Sequence, residues 1–256
     1  MTFGADLAGK RILITGASSG LGAHFAALCA SQGARVAIAA RRLERLESMV
    51  PDLMKLGAAD VRTIELDVSD GAAIHACRAE AVEAFGGLDV LVNNAGIARE
   101  GAALDQRAED FDAVMDVNLR GVWLMAISCG RHWRDTGEPG NIINIASILG
   151  ERVSAGVASY AVSKAAVVQM TKALALELSR HKIRVNALAP GYVETDINRG
   201  FFETEPGRKM ISRIPMRRLG ELSDLDGPFT LLASDASSYM TGAIIPVDGG
   251  HLVSSL

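Results

Sequence analysis

Arg11-Ile12-Leu13-Ile14-Thr15-Gly16-Ala17-Ser18-Ser19-Gly20-Leu21-Gly22 is the stretch whose reading decides the fold. Its first five residues form a short apolar run of the buried-strand type. A glycine-rich loop follows, and then an Ala-rich helical segment runs to about Gln32. Strand, glycine loop and helix in that order form a dinucleotide-binding unit. In such a unit Gly16 permits the tight turn, Gly20 lets backbone approach a pyrophosphate, and Gly22 allows close contact of helix and sheet. Ser18, Ser19 and Leu21 fill the loop between them. The helix N-terminus offers free N–H groups and a positive dipole end to phosphate.

Outward from this unit, a second strand reads Arg35-Val36-Ala37-Ile38-Ala39-Ala40 and runs into Arg41-Arg42. An acidic residue at this strand end binds ribose hydroxyls, whereas an arginine accommodates a 2′-phosphate. Ala40 takes the acidic position here. Arg41 comes next, and its guanidinium can hold phosphate bidentately. Arg41 and Arg42 are therefore read as cofactor contacts, with NADP favoured and NAD as the alternative. In the competing reading both arginines open a solvated helix and pair with Glu44 or Glu47.

Further strands are predicted at about 61–66, 88–92, 140–146, 183–188 and 243–247. Helical patterns lie between them, the longest at about 105–133 and 156–181. This alternation predicts an α/β, doubly wound Rossmann fold: a seven-stranded parallel sheet with helices on both faces. At 256 residues, 49% of them apolar, one domain over 1–256 has enough material for its core. Residues 196–216 break the pattern. Gly200, Pro206, Gly207 and Pro215 alternate there with Phe201, Phe202 and Met210, which predicts a lid over a pocket. In Ser223-Asp224-Leu225-Asp226-Gly227-Pro228, Ser223 with Asp226 suggests a helix start. Pro228 cannot sit past the first turn, so that helix should break or restart near Gly227.

The net charge of −4 carries no long run of either sign, so nothing points to nucleic acid or an anionic membrane. Cys29, Cys77 and Cys129 are widely spaced and form no CxxC, as expected of reduced thiols in a cytoplasmic protein. The five histidines show no metal-ligand spacing. The N-terminus lacks a basic start with an apolar core, and no apolar run reaches about 18 residues.

Tyr160 and Lys164 are four apart, so on a helix they share a face. A free phenol keeps its proton to pH about 10. A neighbouring ammonium is expected to pull that value down, toward a range useful for proton transfer. Ser147 ends the fifth strand. Ligands bind beyond the carboxyl ends of strands in such sheets, so Ser147, Tyr160 and Lys164 can converge there. Asn118 lies in an otherwise apolar helix and must find a polar partner.

Taken together, Thr15-Gly16-x-x-x-Gly20-x-Gly22, Asn93-Asn94-Ala95-Gly96, Asn118, Ser147, Tyr160 with Lys164, and Pro190-Gly191 resemble the short-chain dehydrogenase/reductase family over about residues 8–250. The resemblance implies hydride transfer between a nicotinamide and a ketone or secondary alcohol. Tyr160 would be the acid/base, Ser147 would bind the same oxygen, and Lys164 would acidify Tyr160 and grip the nicotinamide ribose. Asn118 would complete a proton relay through a bound water. Asp67 with Val68 would meet the adenine, and Asn94, Ala95 and Gly96 would run beneath the cofactor. Pro190, Gly191, Val193 and Thr195 would clamp the nicotinamide amide. A homotetramer or dimer built on the two long helices is also implied. The substrate is left open: a small carbonyl compound or alcohol, a sugar or hydroxy compound, or a 3-oxoacyl carrier protein. Carrier-protein reductases often carry a basic residue where this chain has Leu176. A lyase or epimerase, or a nucleotide sensor without catalysis, would use the same fold differently.

Overall fold

The computed structural model describes residues 6–194, 202 and 204–254. Its strands are β1 (Arg11–Thr15), β2 (Arg35–Ala40), β3 (Asp60–Glu65), β4 (Val90–Asn93), β5 (Gly140–Ile145), β6 (Ile183–Pro190) and β7 (Ile244–Val247). Its α-helices are α1 (Gly20–Ser31), α2 (Leu43–Leu56), α3 (Gly71–Phe85), α4 (Ala108–Met115), α5 (Val122–Thr136), α6 (Ala158–Leu178), α7 (Glu205–Ile211) and α8 (Asp226–Ala233). The strands pair in the order β3-β2-β1-β4-β5-β6-β7, every pair parallel. This is the expected doubly wound sheet. The chain grows outward from β1 to β3, then returns to lay β4 on the other side of β1. That reversal leaves a crevice beyond the carboxyl ends of β1 and β4, where open parallel sheets bind ligands.

Two cores explain why the strands read as continuous apolar runs. Leu13 of β1 packs into a core shared with α3, α5 and α6. Its neighbours Ile12 and Ile14 pack into a second core with α1, α2 and α8. Successive strand residues point to opposite faces, so a sheet covered on both faces needs apolar side chains at every position. Phe25 of α1 and Phe229 of α8 stack at 4.2 Å with planes 8° apart, a pairing that adds about 0.5–1.5 kcal/mol beyond its buried area. Cys29, Cys77 and Cys129 are free and buried. Among the described residues no helix is long and apolar enough to cross a membrane.

Two segments differ from expectation beyond their end residues. The helix expected over 105–133 starts at Ala108 and is interrupted by a π-turn, Asp116–Gly121, before α5 continues to Thr136. Gly121 passes close to β3's continuation: a Cβ there would lie 2.6 Å from the Val68 carbonyl oxygen. Near Gly227, a 3-10 turn over Leu222–Leu225 gives way to α8 at Asp226, so the chain does restart there and Pro228 falls in the first turn. The start signal, however, is a reciprocal cap between Glu221 and Asp224 rather than Ser223 with Asp226. Of the segment expected to form a lid, 202 and 204–216 are described. Thr204 caps α7, its hydroxyl accepting from the Gly207 amide at 3.2 Å. Residues 195–201 and 203, Thr195 among them, lie outside the described residues.

Candidate active site

At the end of β1 the Thr15 hydroxyl accepts from the amides of Asn94 and Ala95, each at 3.1 Å. The Asn94 side chain answers by donating to the carbonyls of Thr15 at 3.0 Å and Gly16 at 3.1 Å. These bonds fasten the end of β4 against the start of the glycine loop. Gly16 has φ +66°, and a Cβ there would lie 2.7 Å from Ala95 Cα. At Gly22 a Cβ would come within 2.4 Å of both the Gly16 carbonyl oxygen and Asn94 Nδ2. Gly22 therefore lets the helix start pack against its own loop and the end of β4, a closer partner than the sheet as a whole. Gly20 differs: its φ of +55° calls for glycine, but nothing lies within 4 Å of its missing Cβ. The space above it is open, and Ser19 makes no side-chain cap on α1. Uncapped amides beneath open space fit a bound phosphate.

This loop borders a cavity of about 290 Å³. Gly16, Ser18, Ser19 and Leu21 form one wall, Arg41, Arg42, Asp67 and Val68 another, and Asn94, Ala95 and Gly96 the floor. Arg42 Nη2 donates to the Ser18 hydroxyl at 3.1 Å. Among the described residues neither Arg41 nor Arg42 pairs with Glu44 or Glu47. Asp67 accepts from the Ser69 amide at 2.9 Å and its hydroxyl at 2.7 Å. Those two bonds, with help from the Arg41 charge, hold its carboxyl below the usual carboxylate range. Asp70, not Asp67, caps α3 by accepting from the Ala72 amide at 2.8 Å. The Asp67 carboxylate is thus left facing the cavity.

A second cavity, about 310 Å³, shares Leu21, Asn94, Gly96 and Ile97 with the first. Ser147, Tyr160 and Lys164 line it, with Pro190, Gly191, Tyr192 and Val193 opposite. The glycine loop and the Tyr160/Lys164 pair therefore open on one continuous cleft. Ser147 accepts from the Leu149 amide at 3.1 Å, and its hydroxyl is the hydrogen-bond partner of the Tyr160 phenol. Lys164 is 4% exposed. Its ammonium donates to the Ile145 carbonyl at 2.8 Å and sits 5.5 Å from the centre of the Tyr160 ring. Burial draws its pKa down to about 8.

One expectation is corrected here. Tyr160 is not acidified: burial holds its phenol above the usual range, Ser147 as hydrogen-bond partner draws it back, and the neighbouring Tyr192 phenol pushes it up. The ammonium is spent on the Ile145 carbonyl and on the ring face, a cation–π geometry. The Asn118 side chain is fully committed within the protein. It is fully buried, and its oxygen accepts from the Ile97 amide at 2.8 Å. Its two amide hydrogens go to the Ile97 carbonyl at 2.8 Å and the Ser163 hydroxyl at 3.0 Å. Ser163 in turn donates to the Tyr160 carbonyl at 2.7 Å. Asn118 lines neither cavity and holds the loop after β4 to the backbone of Tyr160.

Asn93 and Asn144 join β4 to β5 at 2.9 Å, and Asn144 donates to Thr171 of α6 at 2.9 Å. This buried polar ladder fixes the height of α6, and with it Tyr160, against the sheet. Thr15, Ser163 and Tyr192 went unassigned in the sequence reading. Thr15 and Ser163 act through hydroxyl contacts to backbone, which no spacing rule reveals. Among the described residues no cluster of side chains could hold a metal.

The family model described as Enoyl-(Acyl carrier protein) reductase matches residues 16–251. The 3-oxoacyl-[acyl-carrier-protein] reductase FabG of Thermotoga maritima is 39% identical over 250 residues, 96% of this chain and 99% of that one. A short-chain type dehydrogenase/reductase from Mycobacterium marinum has a similar structure, with TM-score 0.91 and 39% identity over 97% of each chain. A gluconate 5-dehydrogenase from Burkholderia cenocepacia J2315, solved in complex with NADP and tartrate, gives TM-score 0.92 and 35% identity over 98% of each chain. With identity of this order running the length of the sheet and through the cleft, the chain belongs to the short-chain dehydrogenase/reductase family.

Proposed function

We propose that this protein is an NADP(H)-dependent oxidoreductase that moves a hydride between the nicotinamide and a ketone or secondary alcohol. The observation that carries the reading is the shared cleft: the glycine cradle at one end, and Ser147, Tyr160 and Lys164 at the other. Bound nicotinamide supplies the hydride. The glycine loop and the α1 amides would hold the pyrophosphate, Arg41 and Arg42 the 2′-phosphate, and Asp67 and Val68 the adenine. Pro190, Gly191 and Val193 would border the nicotinamide, with Thr195 the expected further contact.

Tyr160 keeps its proton at neutral pH and so stands ready to give it to a carbonyl oxygen. Ser147, hydrogen-bonded to Tyr160, would turn its donor to the same oxygen. Lys164, with a pKa near 8, is charged at neutral pH and screens the phenolate left behind. Asn118 and Ser163 are positioning residues for this group. Acid–base help of this kind contributes about 10²–10⁴-fold. Tyr160→Phe should therefore retain NADPH binding and lose turnover by about that factor, read as NADPH consumption on a ketone panel. Turnover within a few-fold of the parent refutes the assignment.

The relatives support two substrate classes, since one is named for an acyl-carrier substrate and another for gluconate. Leu176 is 80% exposed and Trp123 45%, on α6 and α5. These apolar surfaces support a homo-oligomer, a tetramer or dimer, formed through both helices. A monomer in sedimentation at micromolar concentration would contradict it. Three unpaired cysteines support a reducing, cytoplasmic setting.

A further inference from the structure

Three side-chain hydroxyls line the reaction end of the cleft: Ser147, Tyr160 and Tyr192. The first two address one reacting oxygen. Tyr192 is surplus to that chemistry, and its setting is rigid. Gly191 before it packs so tightly that a Cβ would lie 2.7 Å from Asp248 Cα, and its amide donates to the Val247 carbonyl at 2.9 Å. The Tyr192 carbonyl accepts from the Gly220 amide at 2.9 Å. The ring meets Phe202 edge-on at 6.1 Å and His251 at 5.5 Å. Its backbone and ring are fixed, yet none of the hydrogen bonds among the described residues uses its hydroxyl.

A phenol held in this way discriminates between substrates. When a substituent fills the cavity, water leaves the hydroxyl. An alkyl or plain acyl chain then leaves it unpaired, which weakens binding of that substrate. A substituent carrying its own hydroxyl satisfies it. Sites that hydrogen-bond a substrate hydroxyl reject the analogue lacking it far more strongly than apolar pockets reject an extra methylene. Among the described residues the neighbouring lining, Ile97, Ala98 and Val193, offers no other side chain able to make that contact.

We infer that Tyr192 is a specificity residue that hydrogen-bonds a hydroxyl beside the reacting carbon, so that the substrate is a polyhydroxylated carbonyl compound rather than a 3-oxoacyl chain. This rests on the proposed hydride-transfer function and chooses between the substrate classes it leaves. The test sets 5-dehydro-D-gluconate against acetoacetyl-CoA and 2-hexanone, with NADPH, for the parent and for Tyr192→Phe. The phenylalanine variant keeps the ring and its contacts with Phe202 and His251. The parent should favour the polyhydroxy ketone in kcat/KM by at least about tenfold. The variant should lose roughly that preference, through a raised KM for the hydroxylated substrate. A merely structural role for Tyr192 lowers all three substrates together and leaves the ratio unchanged. An unchanged ratio, or a parent that prefers acetoacetyl-CoA, overturns the inference while hydride transfer stands. NADPH consumption with none of the three overturns both.

Discussion

At the glycine-loop end of the cleft, geometry is set by backbone meeting backbone. Missing Cβ atoms at Gly16 and Gly22 allow approaches that any side chain would block, and the charges, Arg41 and Arg42, stand exposed at the rim. At the Tyr160 end, side chains set the geometry. A ladder of buried amides and hydroxyls orients α6, and a lysine is buried, among the described residues with no carboxylate paired to it. The first end is tuned by shape and can keep its charges in water. The second has taken a charge out of water, and its chemistry depends on what that costs. The two ends should therefore fail differently: one to added volume, the other to a change of protonation.

The largest effect is expected at Lys164. Its pKa falls from 10.5 to about 8 on folding. Between those values the unfolded chain holds a proton that the folded one has released, so stability rises with pH across this window. Below pH 8 both states are charged and the gain is absent. At about 1.36 kcal/mol per pH unit the rise amounts to about 3 kcal/mol. Burial raises the Cys77 thiol to about 12, which acts in the opposite sense above pH 9. Comparison with Lys164→Met cancels that contribution. The unfolding free energy of the parent relative to the variant should increase by about 3 kcal/mol between pH 8 and 10.5. A difference independent of pH would mean that the buried ammonium is not poised as described.

Gly22 comes next. In Gly22→Ala the new methyl meets the Gly16 carbonyl and Asn94 Nδ2, so the loop must open away from α1. Overpacking of this kind costs about 1–3 kcal/mol, and the cradle should lose NADPH affinity along with it. Gly20→Ala is the matched control: its methyl meets nothing, and only the φ of +55° resists it. If Gly22→Ala binds NADPH as the parent does, steric closeness is not what the loop uses glycine for.

The difference between the ends also decides what the sequence could reveal. The strands, their order of appearance and the glycine loop were readable because burial on both faces and missing Cβ atoms leave marks in composition. The residues of the reaction end were readable as a set, Ser147, Tyr160 and Lys164, but not as an electrostatic arrangement. Spacing places an ammonium one turn from a phenol, and it says nothing of the Ile145 carbonyl that claims that ammonium or of the burial that outweighs it. The π-turn at Asp116–Gly121 was hidden for a similar reason: Gly121 within it approaches Val68, a tertiary contact that no spacing reveals. The cap on the turn before α8 differs because Ser223 is the stronger cap by residue type, and only the fold brings Glu221 and Asp224 into their reciprocal bonds.

Arg41 should give the smallest effect of the three, and it sharpens the comparison most directly. It is exposed at the mouth of the glycine-loop cavity, so water and salt screen its charge. A single guanidinium–phosphate contact of this kind corresponds to roughly a tenfold change in KM. Arg41→Asp should raise KM for NADPH by about that much, because the new carboxylate also repels the 2′-phosphate beside Asp67. NADH carries no such phosphate, and its KM should move little. Raising ionic strength should erode the parent's preference for NADPH while leaving the pH response of Lys164 in place, since a buried charge is screened far less. If both cofactors suffer equally in Arg41→Asp, the arginine shapes the loop instead of reading the phosphate, and the adenine end would be built on shape alone.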